Sequence, residues 1–406
     1  MKNGEICGRF FYLFPIFAGR TSPFAMYLKR ISILNYKNLE QVELQFSPKL
    51  NCLWGLNGMG KTNLLDAIHY LSFCKSAGNP IDSQNVRHGA DFFVIQGWYE
   101  DVDGAPEEVL CSLKRGQRKH VKRSGKEYTR LSDHIGLLPL VMVAPADLDL
   151  ISGGGEERRR LMDTVIAQQD KVYLEALIRY SKALTQRNAL LKQEGAIDEG
   201  LMDVWEAMMA QTGEVIYRRR QAFVRQFVPI FQALYTLIAP DGEEVGLTYE
   251  THASDSTSLL EVIRASRERD RIVGHSLRGV HRDDLQMLLG GYPIRREGSQ
   301  GQNKTYVIAL RLAQYDFLRR TGRTAPLLLL DDVFDRLDAS RVEAVVRLVA
   351  SDRFGQIFIS DTGRERLAPI LRAVGGPRRT FAVCQGTARE ESAGGLPPEG
   401  EHPVDD

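Results

Sequence analysis

Cysteine is scarce. The five in 406 residues, Cys7, Cys52, Cys74, Cys111 and Cys384, form no CxxC and have no histidine pair at metal-ligand spacing, which speaks against a structural zinc site or a disulfide framework. Charge of one sign is also lacking. The 53 Lys and Arg against 52 Asp and Glu leave a net charge of +1, so any affinity for nucleic acid has to come from a local patch. No apolar run is long enough to span a bilayer, so no membrane partner is expected. With 43% hydrophobic and 26% charged residues the chain is neither collagen-like nor wholly disordered, and its length suggests two or three domains of roughly 150 residues. Only residues 1–25 resemble a targeting signal, with Lys2 and Arg9 ahead of an apolar run at 10–18. Met26 then opens MYLKRISILNYKNL, a clean strand start. A non-native leader from an upstream start codon is the preferred reading over secretion, and a cytoplasmic location is expected.

What is present is an α/β pattern interrupted by helices. Apolar residues alternate across 31–46 on either side of the turn-rich NYKN, which predicts a β-hairpin. A strand at Leu50–Trp54 runs into GLNGMGKT and then into a helix with Leu64, Leu65, Ile68 and Leu71 on one face. Strands are also expected near 92–98, 109–113 and 137–143. From 156 the spacing turns helical, through Leu161, Val165, Leu174, Leu177 and Leu184, and after EGAIDEG a second helix carries Val204, Met208, Val215, Phe223, Phe227 and Phe231. This predicts an antiparallel helical arm, bent or segmented at Pro229, whose ring removes a backbone donor. The α/β signal resumes with a strand at 327–330, a helix at 340–350 and a strand at 356–360. The expected organisation is a leader at 1–25, an N-terminal head lobe at 26–155, an arm at 156–267, a C-terminal head lobe at 268–385 and a disordered Gly, Pro and Glu-rich tail at 386–406.

The strand from Leu50, the Gly-rich loop and the helix carrying Leu64 to Leu71 enclose a GxxxxGK[ST] motif, the Walker A pattern. Gly55, Leu56, Asn57, Gly58, Met59 and Gly60 supply a loop whose N–H groups can wrap phosphates. Lys61 reaches the β/γ oxygens, and Thr62 offers a hydroxyl to Mg2+. ATP is the expected cofactor. LLLLDD at 327–332 reads as a Walker B strand, with Asp331 for the metal and Asp332 placed to act on the attacking water, where related ATPases usually carry Glu. Between these motifs, Ser299, Gln300, Gly301 and Gln302 open a helix whose N-terminus has free donors and partial positive charge. An ordinary helix cap would look the same; with Walker A upstream and Walker B downstream, the segment reads as an ABC-type signature.

GLNGMGKTNLLDAIHYLS, APADLDLISGGGEERRRLMD, YSKALTQRNALLK, GVHRDDL, GSQGQNKTYVIALRLAQ and LLLLDDVFDRLDASR together resemble the RecF family over 26 to about 383. The resemblance implies an ABC-type P-loop ATPase head split by an inserted helical hairpin. It also implies a homodimer formed on ATP, weak DNA-stimulated ATPase activity and binding to duplex DNA near single-strand gaps. RecO and RecR are the implied partners in recombinase loading. A D-loop falls on Leu337 and Asp338. Met59, Val280 and Asn303-Lys304 depart from the usual family residues, and Asp361 stands where transporter ATPases carry a switch histidine.

GVHRDDL mixes a histidine, an arginine and two acids, and reads as an ion-pair network supporting the head, with Arg282 competing for the acids. Residues 114–130 are the densest basic stretch. There Lys114, Arg115, Arg118, Lys119, Lys122 and Arg123, with Ser124-Gly125 as a turn, suggest a hairpin that presents cations to DNA phosphates. Other readings are weaker: a transporter subunit would not carry the inserted arm, a long coiled-coil clamp would have a far longer one, and a kinase would need an acceptor lid. Another SMC-like clamp ATPase is the alternative.

Overall fold

A computed structural model describes residues 26–101, 104–195, 198–335 and 337–391; the expected leader at 1–25 and the part of the expected tail at 392–406 lie outside the described residues. The chain starts with strands β1 (Tyr27–Tyr36), β2 (Leu39–Gln45) and β3 (Leu50–Trp54) and helix α1 (Lys61–Phe73). Strands β4 (Phe92–Glu100), β5 (Pro106–Lys114), β6 (His120–Arg123), β7 (Lys126–Glu127) and β8 (Leu140–Val143) come next. Helices α2 (Asp149–Ser152), α3 (Gly155–Ala167), α4 (Lys171–Leu191) and α5 (Glu199–Ile238) precede β9 (Val245–Glu250), α6 (Leu259–Ala265), α7 (Arg267–Val273), β10 (Asp284–Leu289) and β11 (Tyr292–Pro293). The described chain ends with α8 (Ile294–Glu297), α9 (Gln300–Thr321), β12 (Leu327–Asp331), α10 (Ala339–Ala350), β13 (Ile357–Asp361), α11 (Arg364–Ala373), β14 (Arg378–Cys384) and β15 (Thr387–Glu391).

Two kinds of sequence pattern make two kinds of sheet. In β1 and β2 the buried residues Ile31, Ile33, Val42 and Leu44 come at every second position. These strands pair antiparallel within a sheet of order β2-β1-β4-β5-β6-β7. β12 and β13 are buried at every residue, as strands covered on both faces must be. They lie in a sheet of order β15-β14-β3-β13-β12-β8, parallel except at β15. Along β12, Leu328 and Leu330 face a core shared with α5 and α9, while Leu327 and Leu329 face a second core under α1 and the antiparallel sheet.

This order interleaves the two head lobes. β3 of the first lobe lies between β14 and β13 of the second, and β8 pairs with β12. Because β3 and β12 are parallel, the loop after β3 and the acids after β12 emerge at the same sheet edge, where α/β folds place ligands.

The arm departs from expectation in three ways. Its first helix is broken: α3 stops at Ala167, and Asp170 caps α4 by accepting from Tyr173 N at 2.9 Å. Gln168 turns back to accept from Leu140 N at 3.0 Å, which ties α3 to the head. The return is unbroken: α5 runs 40 residues through Pro229, so the expected segmentation is absent. Ring contacts to α9 brace this stretch, Phe231 on Tyr306 at 4.8 Å and Phe223 on Phe317 at 5.1 Å, and they offset the one donor that proline lacks. Finally, β9, within the range read as arm, pairs with β10 beyond it. The expectation of disorder from 386 is also corrected. Thr387–Glu391 is strand β15, held by the backbone ladder to β14, which can order a polar segment without an apolar core.

Candidate nucleotide site

Gly58 and Gly60 have φ of 79° and 116°, left-handed values that glycine accepts without strain, and Gly60 caps α1. The loop therefore closes tightly and leaves the first N–H groups of α1 without helical partners. Lys61 is only 4% exposed, and its Nζ donates to the carbonyls of Gly55 at 2.7 Å and Leu56 at 3.2 Å. Thr62 Oγ1 donates to Asp331 Oδ2 at 2.8 Å, which joins the Walker A and Walker B residues. Ser360, which sequence reasoning missed, donates to Asp331 Oδ1 at 2.5 Å and accepts from Asp332 N at 3.1 Å. Its only signal was a hydroxyl ending the strand beside β12, where register pairs it with Asp331.

Burial pushes the Asp331 carboxyl above the usual range, against the pull of the Ser360 and Thr62 hydrogen bonds. Burial likewise raises Asp332, reinforced by the neighbouring Asp331 charge. Asp332 has a φ of 46° and takes this left-handed backbone where the strand gives way to a turn. A cavity of about 530 Å³, in the size range of small-ligand pockets, brings Asp331, Asp332, Asp361, Asn57, Lys304 and Arg366 together. The carboxylate of Asp331 and the hydroxyl of Thr62 are hard oxygen donors that suit Mg2+.

Of the predicted loop residues only Asn57 lines this cavity, and Ser299, Gln300, Gly301 and Gln302 do not line it. They form the N-terminus of α9, where the Ser299 side chain accepts from Gln302 N at 3.3 Å and Gln302 Oε1 accepts from Ser299 N at 2.8 Å. Gln302 Nε2 also donates to both Glu243 oxygens at 3.0 Å, which ties the segment to the loop between α5 and β9. Asp338 of the expected D-loop caps α10 by accepting from Arg341 N at 2.9 Å.

GVHRDDL is an ion-pair joint, with one correction. Arg282 donates to the Ser276 carbonyl at 3.1 Å and not to the acids. Arg220 of α5 takes Asp283 at 2.7 Å, and Arg158 of α3 takes Asp284 through both oxygens at 2.6 and 2.8 Å. The cations that neutralise these acids come from distant helices, so the sequence neighbour was the wrong candidate.

The basic stretch forms β6 and β7 around a turn at Ser124 and Gly125, but its cations divide. Arg115 donates to the carbonyls of Ala90, Ser83 and Val86. Lys119 contacts the Cys74 carbonyl at 2.7 Å and Asp82 at 2.8 Å, and Arg123 pairs with both oxygens of Glu107 at 2.6 Å. Lys114, Arg118 and Lys122 are exposed, with no side-chain partner among the described residues. Tertiary contacts thus engage three of the six expected phosphate ligands, although Arg115 and Arg123 stay exposed.

The model for the RecF/RecN/SMC N terminal domain matches residues 27–374. The DNA replication and repair protein RecF of Bacteroides thetaiotaomicron is 66% identical over 368 residues, 91% of this chain and all of that one. The chain belongs to the RecF family. The RecF protein of Porphyromonas gingivalis strain ATCC 33277 is 48% identical over 361 residues, 89% of this chain and 99% of that one. A solved structure of the recombination mediator protein RecF with ATP, of the RecFOR pathway, superposes with a TM-score of 0.82 at 27% identity, covering 92% of this chain and all of that one. An Smc head domain with an extended coiled coil from Pyrococcus furiosus superposes at 0.55 with 17% identity over 90% of this chain and 96% of that one, a likeness of fold. The fold of this RecF-family chain is therefore an ABC-type ATPase head carrying a helical arm. No helix among the described residues is long and apolar enough to cross a membrane.

Proposed function

We propose that the chain is a cytoplasmic, ATP-dependent DNA-binding recombination mediator. It binds ATP with Mg2+, dimerises on it and holds duplex DNA near single-strand gaps. The 2.8 Å hydrogen bond from Thr62 to Asp331 carries the nucleotide reading, because it joins the two halves of a phosphate and metal site beside a cavity of suitable size. Lys61 exchanges loop carbonyls for β/γ oxygens, and Asp332 orients water for attack. Mg2+ supplies charge neutralisation at the phosphates. Ser299–Gln302, at the N-terminus of α9, are assigned to cap ATP held by a second copy, as the family resemblance implies.

The matched RecF structure is named for the RecFOR pathway, which supports RecO and RecR as partners in recombinase loading. Lys114, Arg118 and Lys122 are the proposed phosphate contacts. The test is gel filtration with and without ATP, in the presence and absence of a gapped duplex. A dimer that appears only with ATP and retains the duplex is expected; a monomer under all conditions overturns the reading.

A further inference from the structure

The turn between β14 and β15 lies against the Walker A loop, in a segment whose sequence reads as disordered. Cys384 pairs with Thr387, so the turn is the two residues Gln385 and Gly386, with φ of 46° and 77°. Two successive left-handed residues make a type I′ turn, which matches the twist of a hairpin and holds it rigidly.

Two contacts fix the turn to the loop. Gly386 N donates to the Met59 carbonyl at 2.9 Å, and Gln385 N approaches Met59 Sδ at 3.3 Å. Behind the turn, a Cβ on Gly386 would stand 2.1 Å from the Asn38 carbonyl oxygen, while one on Gly55 would stand 2.2 Å from that of Val383. Asn38 completes the clamp from the other side, donating from Nδ2 to the Gly58 carbonyl at 3.2 Å and accepting from Asn63 Nδ2 at 2.7 Å. At the far end of β15, Glu391 accepts from Trp54 Nε1 at 3.0 Å, so the hairpin is anchored to the strand that launches the loop. The Gly58–Gly60 stretch of the loop is thus held between two turns from opposite ends of the chain.

We infer that Gln385 and Gly386 are positioning residues for the nucleotide: they hold the Walker A loop in its phosphate-ready conformation, and the loop in turn holds them. The inference rests on the nucleotide reading above. A preorganised loop spends less binding energy on ordering itself. Because the turn acts through Met59 and stands apart from Asp331 and Asp332, its loss weakens nucleotide affinity and leaves the hydrolytic step nearly unchanged. By reciprocity, nucleotide binding steadies the turn.

Two measurements test this on the full chain, with ADP as the probe. In the first, Gly386→Ala, which is strained both by its positive φ and by the Asn38 carbonyl, is expected to raise the ADP Kd and the ATP KM roughly tenfold, the scale of one or two lost hydrogen bonds. Its kcat is expected to stay within about twofold of the parent. Gln385→Asn, whose residue accepts left-handed backbone, should retain parental affinity. A role in stability alone would lower the melting temperature and leave the Kd of the folded fraction unchanged, which overturns the inference.

The second measurement needs no variant. Backbone hydrogen exchange of peptides spanning 384–388 should slow when ADP is added, together with those spanning 55–62. Slowing at 55–62 with no change at 384–388 overturns the inference and leaves the nucleotide reading intact. No ADP binding by the parent chain overturns both.

Discussion

Thr62 and Asp331 are 269 residues apart in sequence and share a 2.8 Å hydrogen bond, with Asp331 also lining the cavity of about 530 Å³. The arm and α9 are inserted between them in the chain.

Lys61→Ala should reduce kcat/KM for ATP by at least about a hundredfold, since its ammonium lies against the loop carbonyls where the phosphates would be held. The protein should still melt cooperatively. Steady-state hydrolysis and nucleotide titration of the folded variant check this, and near-parental turnover excludes the assigned role.

Asp332→Asn should keep ATP affinity within a few-fold and lower hydrolysis by about 10²–10⁴, the range for a lost general base. In the proposed mechanism unhydrolysed ATP keeps the dimer closed, so residence on gapped DNA should lengthen. Dissociation followed with ATP present is the measurement. A variant that leaves DNA as fast as the parent while hydrolysis is lost shows that turnover does not control release.

For the signature, Ser299→Arg should abolish hydrolysis in the homodimer without touching nucleotide affinity of the monomer. Mixed with Lys61→Ala, it should restore at most one competent site per heterodimer. Homodimers of Ser299→Arg that hydrolyse ATP at the parental rate contradict action in trans.

At the basic hairpin the structure changes which residues to reverse. Lys114, Arg118 and Lys122 to Glu together should weaken duplex binding and reduce the slope of log K against log salt by about 3, nearly one per lost phosphate contact. Lys119→Ala should instead loosen the segment around Asp82 and Cys74 and lower the melting temperature. Salt titrations of duplex binding separate the two, and an unchanged slope in the triple variant moves the DNA surface elsewhere.

At the joint, burial pushes the His281 imidazole down from 6.5 to about 4, with Arg282, Arg159 and Arg187 adding to the shift and the Ser276 carbonyl opposing it. Its neutral ring takes the Tyr180 hydroxyl at 2.7 Å and faces the Ser276 carbonyl at 3.0 Å. The folded value lies below the unfolded one, so the unfolded chain takes up its proton first. This contribution to stability is fully present above about pH 6.5 and is lost as the pH falls through 4. Asp283, raised by burial, acts in the opposite sense, so the test is a difference. The stability gap between parent and His281→Asn, measured from urea midpoints, should shrink as the pH falls from about 6.5 to about 4.5; a constant gap shows that folding does not lower the imidazole below its unfolded value.

Much of the head was legible because its signals are local. GLNGMGKT needs particular residues at fixed spacing, and the all-apolar β12 and alternating β1 and β2 report their burial through period alone. The break at Gln168 was hidden because its cause, a hydrogen bond to Leu140, lies 28 residues away. Continuity through Pro229 was hidden for the same reason, since the rings that brace it belong to α9.

The sequence by itself determined the ATPase head, its motifs and the inserted helical arm, because each depends on contacts within a few residues or on a strand's own periodicity. Only the tertiary structure decided which cations stay free, which helices neutralise Asp283 and Asp284, and that Gln385 and Gly386 brace the Walker A loop. Each of those depends on partners far apart in the chain: a salt bridge or a turn against a loop is made when strands of two lobes interleave in one sheet, and no local pattern encodes which distant residue arrives.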